Sequence, residues 1–415
     1  MNSALAALFG LLLAIILIIR KIPPVFSLFL GAIAGGLLAG WGMQGTVTEM
    51  ISGVKDISPA IVRILAAGVL SGMLVVTGAA ESIASTLIRR LGPKRVYLAL
   101  ALSAMLLCAA GVFIDVAVIT IAPIALMMGQ RTGAPVAKLL LAMIGGGKCG
   151  NIISPNPNTI VAAENMGAPL PSVMLANVIP AIIGLAITVF LIVPLIPDRK
   201  VAAANNPDDQ PRKDLPPFWA SIAGPLLTVA LLALRPIFGI VIDPLVALPA
   251  GGLFGLLTTG KWKLTLDSLK YGLEKMSVVA VLLIGTGAIA GIIKASAIKD
   301  VLVTMLAGWG AGGDILAPVS GILMCAATAS TTAGATIASA SFSDAILGTG
   351  VSPVAGAAMI NAGSTVLDHL PHGSFFNATG GCVEMSITQR MKLIPFETLV
   401  GLVLTICSYF CQHIW

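Results

Sequence analysis

The chain has 415 residues, of which 57% are hydrophobic and only 10% charged, with a mean hydropathy of +1.00. These values exclude a soluble globular domain and give a polytopic membrane protein, since each crossing needs roughly 20 apolar residues. The formal charge of +6 does not imply a nucleic-acid partner, because the basic residues gather in loops that fall on one side of a membrane.

About ten apolar stretches follow one another. The first, Leu5 to Ile19, carries Arg20 and Lys21 after its apolar run, with no small-residue cleavage site beyond. It reads as a retained helix whose N-terminus lies outside, not as a signal peptide. Val25 to Trp41 exits, and a third helix, Ile57 to Ile88, returns to Arg89, Arg90, Lys94 and Arg95. The region 96–128 is interrupted by Gly111-Val112-Phe113-Ile114-Asp115, and basic residues lie beyond both of its ends. It is expected to be a re-entrant hairpin opening from the cytoplasm, with Asp115 near the tip. A broken helix over 135–163 crosses outward, and Pro171 to Ile196 returns to a hydrophilic linker, 197–217, which joins the first half (1–196) to the second (218–415).

In the second half, Phe218 to Leu234 and Asp243 to Thr259 form a pair ending at Lys261 and Lys263. Leu264 to Lys275 alternates charged with apolar residues and reads as a helix on the membrane surface, before Met276 to Ile293 exits. The region 311–342 is interrupted between Ala327 and Gly334 and is expected to be a second hairpin, opening from outside. A second broken helix over 353–381 crosses inward to Arg390 and Lys392, and Phe396 to Tyr409 exits. Arg63 and Lys294 are among the few basic residues left outside. Glu164 and Glu384 lie close to helix ends and read as solvated, while Trp41, Trp219, Trp309 and Trp415 suit interfacial anchors.

The two broken helices correspond. Ile144 to Asn158 aligns without a gap with Ile360 to Ser374, each a small-residue helix running into a polar, proline-broken segment. Gly133-Ala134-Pro135 against Val351-Ser352-Pro353, and Ser82-Ile83 against Ala297-Ile298, keep nearly the same offset of about 215 to 218 residues. Opposite starting sides make the repeats inverted. An unpaired backbone group costs several kcal/mol in hydrocarbon, so irregular chain at that depth survives only against a protein cavity or a ligand. Interrupted helices at matching places in two halves point to a transporter's substrate site.

Several motifs carry a resemblance. Gly111 to Pro123, with Phe113, Asp115 and Val116, is similar to the first hairpin of the gluconate permease (GntP) family, within the ion transporter superfamily, and Ala326 to Gly334 resembles its Ser/Thr/Gly-rich second hairpin. Pro155-Asn156-Pro157-Asn158 stands where relatives carry Pro-His-Pro-Gly, and Asp368 to Phe376 where many carry a Ser-His-Val-Asn-Asp-Ser-Gly-Phe-Trp type segment. Asp115 and His369 match the pattern and Phe375-Phe376 approximately so, whereas Lys148, Asp368, Pro371, His372 and the asparagines of the first break depart from it. The resemblance implies an all-α fold with a scaffold and a mobile transport domain moving as an elevator. It also implies a homodimer and proton-coupled uptake of a sugar acid or another small hydroxy- or amino-carboxylate, and the expected location is a bacterial inner membrane.

A carboxylate substrate needs hydrogen-bond donors in a water-filled cavity, and broken helices supply unpaired N–H groups and positive dipole ends. Asn151, Ser154, Asn156, Asn158 and Thr159 of one break, and Ser364, Thr365, His372 and Ser374 of the other, add side chains. The hairpin tips bring Asp115 on one side and Ser330, Thr331 and Thr332 on the other. Lys148 is the residue best suited to select an anion, because a lysine at membrane depth costs roughly 2.5 to 3.5 kcal/mol and needs a partner. A structural ion pair with Asp115 or Asp368 is the alternative, and the two are compatible if substrate replaces the internal carboxylate. Asp368, His369 and Asp115 are the candidates for proton coupling, histidine because it titrates near neutrality and a buried carboxylate because burial raises its pKa. Neutral hydrogen bonding that holds the unwound chain is the alternative for the histidines.

Gly145-Gly146-Gly147 and Gly31, Gly35 and Gly36 read as packing residues. The six cysteines have no Cys-x-x-Cys pair or metal-ligand spacing, so neither a metal nor a cofactor is expected. Three other functions compete with the symporter. A sodium-coupled di- or tricarboxylate carrier shares the layout, an intramembrane hydrolase using Asp368 and His369 lacks a nucleophile motif, and a channel differs in flux that does not saturate or concentrate substrate.

Overall fold

The computed structural model describes residues 3–197, 214–297, 301, 313–371 and 373–414, and its elements are helices. The first half holds α1 (Ser3–Ile19), α2 (Pro24–Leu38), α3 (Gly42–Val76), α4 (Ala79–Leu91), α5 (Val96–Ala109), α6 (Ile114–Thr132), α7 (Val136–Asn151), α8 (Pro157–Met166), α9 (Leu170–Ala176) and α10 (Val178–Ile187), which runs through a π-helical turn into α11 (Val193–Leu195). The second holds α12 (Phe218–Phe238), α13 (Pro244–Thr258), α14 (Thr265–Ala295), α15 (Gly313–Thr328), α16 (Thr331–Gly348), α17 (Pro353–Gly363), α18 (Ser374–Gly381), α19 (Ile387–Met391) and α20 (Ile394–Ile414).

The breaks fall where local chemistry demands them. Gly111 takes a φ of +103° between α5 and α6, a conformation open to glycine. Pro157 opens α8 in the first turn, where a missing N–H costs nothing. Ser330 accepts a bond from the Ala333 amide and caps α16 just after Ala329, whose φ of +48° is strained for a residue with a Cβ. Ser352 caps α17 in the same way through the Ala355 amide.

Two groups of helices result. In one, α3 packs on α14, α2 and α13, with α1 beside α2 and α12 beside α13. Small residues allow it, with Gly53 facing Gly287 and Gly291, and Gly68 and Gly72 facing Gly272 and Ser268. In the other, α5 and α6 pack on α7, α15 on α16 and α17, and α8 meets both α16 and α17, with α10 and α20 alongside. The groups meet where α3 touches α8 and α14 touches α16.

Six helical runs among the described residues are long and apolar enough to span a membrane, or seven if the pair α4–α5, bent by 106°, counts as one. Among the described residues, fewer continuous crossings exist than the hydropathy pattern predicts. The third expected helix is divided, because Gly78 at φ +76° ends α3 and starts α4, and α3 itself begins as early as Gly42. The 15 residues of α2 reach only about 22 Å at ~1.5 Å per residue, short of a ~30 Å hydrocarbon core. Leu264 to Lys275 is no separate surface helix, since all but its first residue belong to the continuous 31-residue α14. Residues 198–213 of the linker, together with Trp309, His372 and Trp415, lie outside the described residues.

Candidate functional site

The triple glycine sets the site. Gly146 and Gly150 lie four apart on the face of α7 that presses on the carbonyls of Ala101 and Met105 in α5, where a Cβ would collide with backbone. Lys148 lies between them in sequence and so projects from the opposite face, into the second break. It is fully buried.

Lys148 Nζ stands 2.6 Å from Asp368 Oδ1 and 2.6 Å from the Thr365 carbonyl, to which it donates, with His369 Nδ1 at 3.1 Å and the Glu397 carbonyl at 3.4 Å. Asp368 Oδ2 accepts from Thr331 Oγ1 at 2.7 Å, which ties the start of α16 to the second break. His369 Nε2 is 3.1 Å from the Ile394 carbonyl and 3.1 Å from Thr398 Oγ1. A carbonyl only accepts, so this geometry suits the tautomer with Nε2–H and leaves the Nδ1 lone pair facing the lysine. A proton on Nδ1 would face Asp368 Oδ1 at 3.1 Å instead and compete with Lys148 for that carboxylate.

A second ion pair supports the first. Arg390 makes both guanidinium contacts to the Glu397 carboxylate, reaches Thr379 Oγ1 at 3.1 Å and lies 4.9 Å from the Phe376 ring centroid. Glu397 Oε2 is 4.0 Å from His369 Nδ1. Two cations and two carboxylates thus balance in the interior around the imidazole, as buried charges require. The loop rule marks Arg390 as cytoplasmic, yet it is 1% exposed. The signal that could have found it is Glu397, an acid seven residues later inside an otherwise apolar stretch.

The first break closes through amides. Asn151 Oδ1 accepts from Asn156 Nδ2 at 2.8 Å, Asn158 Nδ2 donates to Asn361 Oδ1 at 2.7 Å, and Asn361 Nδ2 donates to the Ile152 carbonyl at 3.3 Å and Thr159 Oγ1 at 3.1 Å. Asn361, inside α17, is a further site residue that sequence reasoning passed over, although a side-chain amide among Ala, Gly and Ile was its signal. Ser154, Ser364 and Thr365 turn their hydroxyls back onto nearby carbonyls at helix ends.

The structure therefore brings together Lys148, Thr331, Thr365, Asp368 and His369 in one cluster and Asn151, Asn156, Asn158 and Thr159 in another, one turn apart along α7. Asp115 lies elsewhere, half-buried in the first turn of α6, where the helix dipole favours a carboxylate. Ser330 is spent on its cap, Thr332 is half-buried and Ser374 is exposed. The donors expected to line a water-filled cavity are instead packed against one another. Glu164, expected to be solvated, is held by Arg63 at 2.5 Å, and Arg63 also reaches Asp243.

Comparison with known proteins agrees with this architecture. The GntP family permease model matches residues 3–249, and a Na+-H+ antiporter family model matches residues 220–309. An uncharacterized transporter of Haemophilus influenzae is 52% identical, over 98% of this chain and 97% of its own length. A gluconate permease of Zymomonas mobilis and a high-affinity gluconate transporter of Escherichia coli are 24% and 25% identical, each over 97% of this chain and 98% of its own length. Among solved structures, the Alcanivorax borkumensis YdaH transporter has a TM-score of 0.64 at 17% identity, covering 90% of this chain and 88% of that one. Neisseria gonorrhoeae MtrF has a TM-score of 0.59 at 15% identity, covering 90% and 85%. Taken with the multi-pass helical fold, the family match means that this chain belongs to the GntP permeases and is a transporter, not an enzyme.

Proposed function

We propose that the protein is a secondary active symporter that imports gluconate-like sugar acids or other small hydroxycarboxylates together with protons. The carrying observation is the Lys148–Asp368 pair between the two breaks, with His369 against both. A substrate carboxylate can replace Asp368 on Lys148, and a proton on Asp368 or His369 keeps the buried charge balanced when it does. One proton carried with one carboxylate moves no net charge, so the drive is the pH difference, about 1.4 kcal/mol per unit and enough for about tenfold accumulation without ATP.

In this reading the two halves are inverted repeats and α5–α6 and α15–α16 are re-entrant hairpins. The group built on α3 and α14 is a fixed scaffold, and the group carrying the broken helices is the transport domain of an elevator. The relatives named as gluconate permeases and the two transporter folds support the substrate class and the architecture. Following the resemblance, the assembly is a homodimer, and its place in this reading is the inner membrane.

Proteoliposomes given an inward pH gradient should accumulate labelled gluconate to the same extent in sodium and in choline buffer. Accumulation that needs neither gradient, or none at all, would remove this reading. The match of residues 220–309 to a Na+-H+ antiporter family favours a second reading, sodium coupling, in which a sodium gradient at constant pH drives uptake.

A further inference from the structure

A cavity of about 270 Å3 lies where the two helix groups meet, and none of the cluster residues lines it. Asp56 of α3 and Lys294 of α14 form one wall, and Glu164 and Asn165 of α8 with Ser341 and Asp344 of α16 form the other. Three carboxylates against one ammonium give the lining a net charge of −2 (+1 − 3). Arg63 leaves that sum unchanged, because it binds Asp243 as well as Glu164 and the wider count is again −2 (+2 − 4). Such a lining repels anions and draws cations in.

The contacts show which groups are free to meet a cation. Asp56 is held by Lys294 at 2.8 Å, and Glu164 is held by Arg63. Asp344 has no ion pair or hydrogen bond among the described residues, although the Lys294 ammonium acts on it through space. Ser341 lies three residues before Asp344 on α16 and so shares its face. It is only 7% exposed, lines the cavity, and its Oγ has no hydrogen-bond partner. Its neighbours behave otherwise, since Thr336 and Ser339 turn their hydroxyls back onto the Thr332 and Ala335 carbonyls. A buried hydroxyl left unpaired is unfavourable, and a bound ligand relieves it.

Asn165 adds a further oxygen. Ser339 Oγ already donates to a carbonyl, so it can only accept from the Asn165 amide, which places Nδ2 against it at 2.9 Å and leaves Oδ1 as the free end. The donors are therefore a carboxylate, a hydroxyl and an amide oxygen, a set for a hard cation. Among the described residues no three acidic, histidine or cysteine side chains converge to hold one metal ion. A divalent ion that needs several carboxylates is poorly served, whereas one carboxylate with neutral oxygens matches a single positive charge. The volume also leaves room for waters, at ~30 Å3 each, so an ion can enter with part of its hydration shell.

We propose that this cavity is a binding site for a monovalent cation, sodium, at the junction of the two helix groups. Asp344 supplies the charge, Ser341 Oγ and Asn165 Oδ1 supply neutral oxygens, and Lys294, kept on Asp56, is the internal cation that competes for the site. The inference does not rest on the symporter reading above, since an ion bound here but not carried alters the rate of uptake and not its final extent.

Binding of radioactive sodium to the purified full chain in choline buffer tests it, with folding of each variant checked by size-exclusion chromatography. The parent should bind sodium saturably, and Asp344→Asn should weaken binding about tenfold or more and Ser341→Ala by a few-fold. Asp56→Asn sets Lys294 free to turn to Asp344 and should weaken binding, whereas Lys294→Gln should preserve or tighten it. The Lys148→Met/Asp368→Asn protein should bind sodium as the parent does, which separates this site from the buried cluster. Ala340, which lines the cavity, reports the location through Ala340→Cys in the full chain with its six native cysteines replaced, where sodium should slow maleimide labelling severalfold relative to choline. No saturable binding by the folded parent, unchanged affinity in Asp344→Asn, weaker binding in Lys294→Gln, or labelling at position 340 that ignores sodium overturns the proposal.

Discussion

Lys148→Met isolates the contribution of the buried cation, because methionine fills similar space and carries no charge. It would leave the buried Asp368 carboxyl with only the Thr331 hydroxyl and the imidazole against it, and the Thr365 carbonyl without its donor. Breaking a buried pair by removing one partner costs about 3–5 kcal/mol, whereas replacing both partners with neutral groups of similar size is close to neutral. Lys148→Met and Asp368→Asn should therefore each lose about 3–5 kcal/mol of stability, and the double variant should recover most of that loss. Chemical unfolding of the purified protein in detergent, followed by tryptophan fluorescence, gives all four corners of the cycle. Single variants that unfold at the parent's midpoint, or a double variant whose loss equals the sum of the singles, would refute the reasoning.

Four further outcomes follow from the packing. Gly146→Val places a side chain against the Ala101 carbonyl, so α7 cannot seat on α5, and size-exclusion chromatography should show little folded protein. Asn361→Leu leaves the Asn158 amide without its partner and should cost about 1–3 kcal/mol in the same unfolding assay. Arg390→Lys keeps a charge but cannot hold both Glu397 oxygens with Thr379, so thermal unfolding should fall well below that of the parent. The hydrogen bond from Arg63 holds the Asp243 carboxyl below the usual carboxylate range. The stability this contact gives is complete above the unfolded value near pH ~4 and is lost as pH falls through the lowered folded value. Asp243→Asn should therefore shrink the loss of stability over that acid window in a pH series of unfolding midpoints.

The breaks were legible because their chemistry is local. Pro155 and Pro157 cannot continue a helix, Ser352 and Ser330 cap one, and Lys148 and Asp368 at membrane depth require partners wherever they lie. The division of α3 from α4 was not legible. Gly78 is one of many glycines in apolar stretches, and Gly68 and Gly72 nearby serve only to let α14 approach, so glycine alone does not separate a kink from a packing face. The burial of Arg390 escaped for a related reason, since counting basic residues assigns sides without asking whether an acid is in reach. Glu164 looked solvated because its partner, Arg63, is far away in sequence and meets it only when α3 packs on α8. Long-range pairs of this kind depend on helix packing, which hydropathy does not encode.

The central claim is that the substrate carboxylate takes the place of Asp368 on Lys148, and uptake by the charge-neutral pair tests it most directly. The Lys148→Met/Asp368→Asn protein, expected to be folded, is reconstituted beside the parent in proteoliposomes under an inward pH gradient, and labelled gluconate is followed inside. The account predicts accumulation by the parent and none by the double variant at matched protein content. Accumulation by both at equal rates would contradict it.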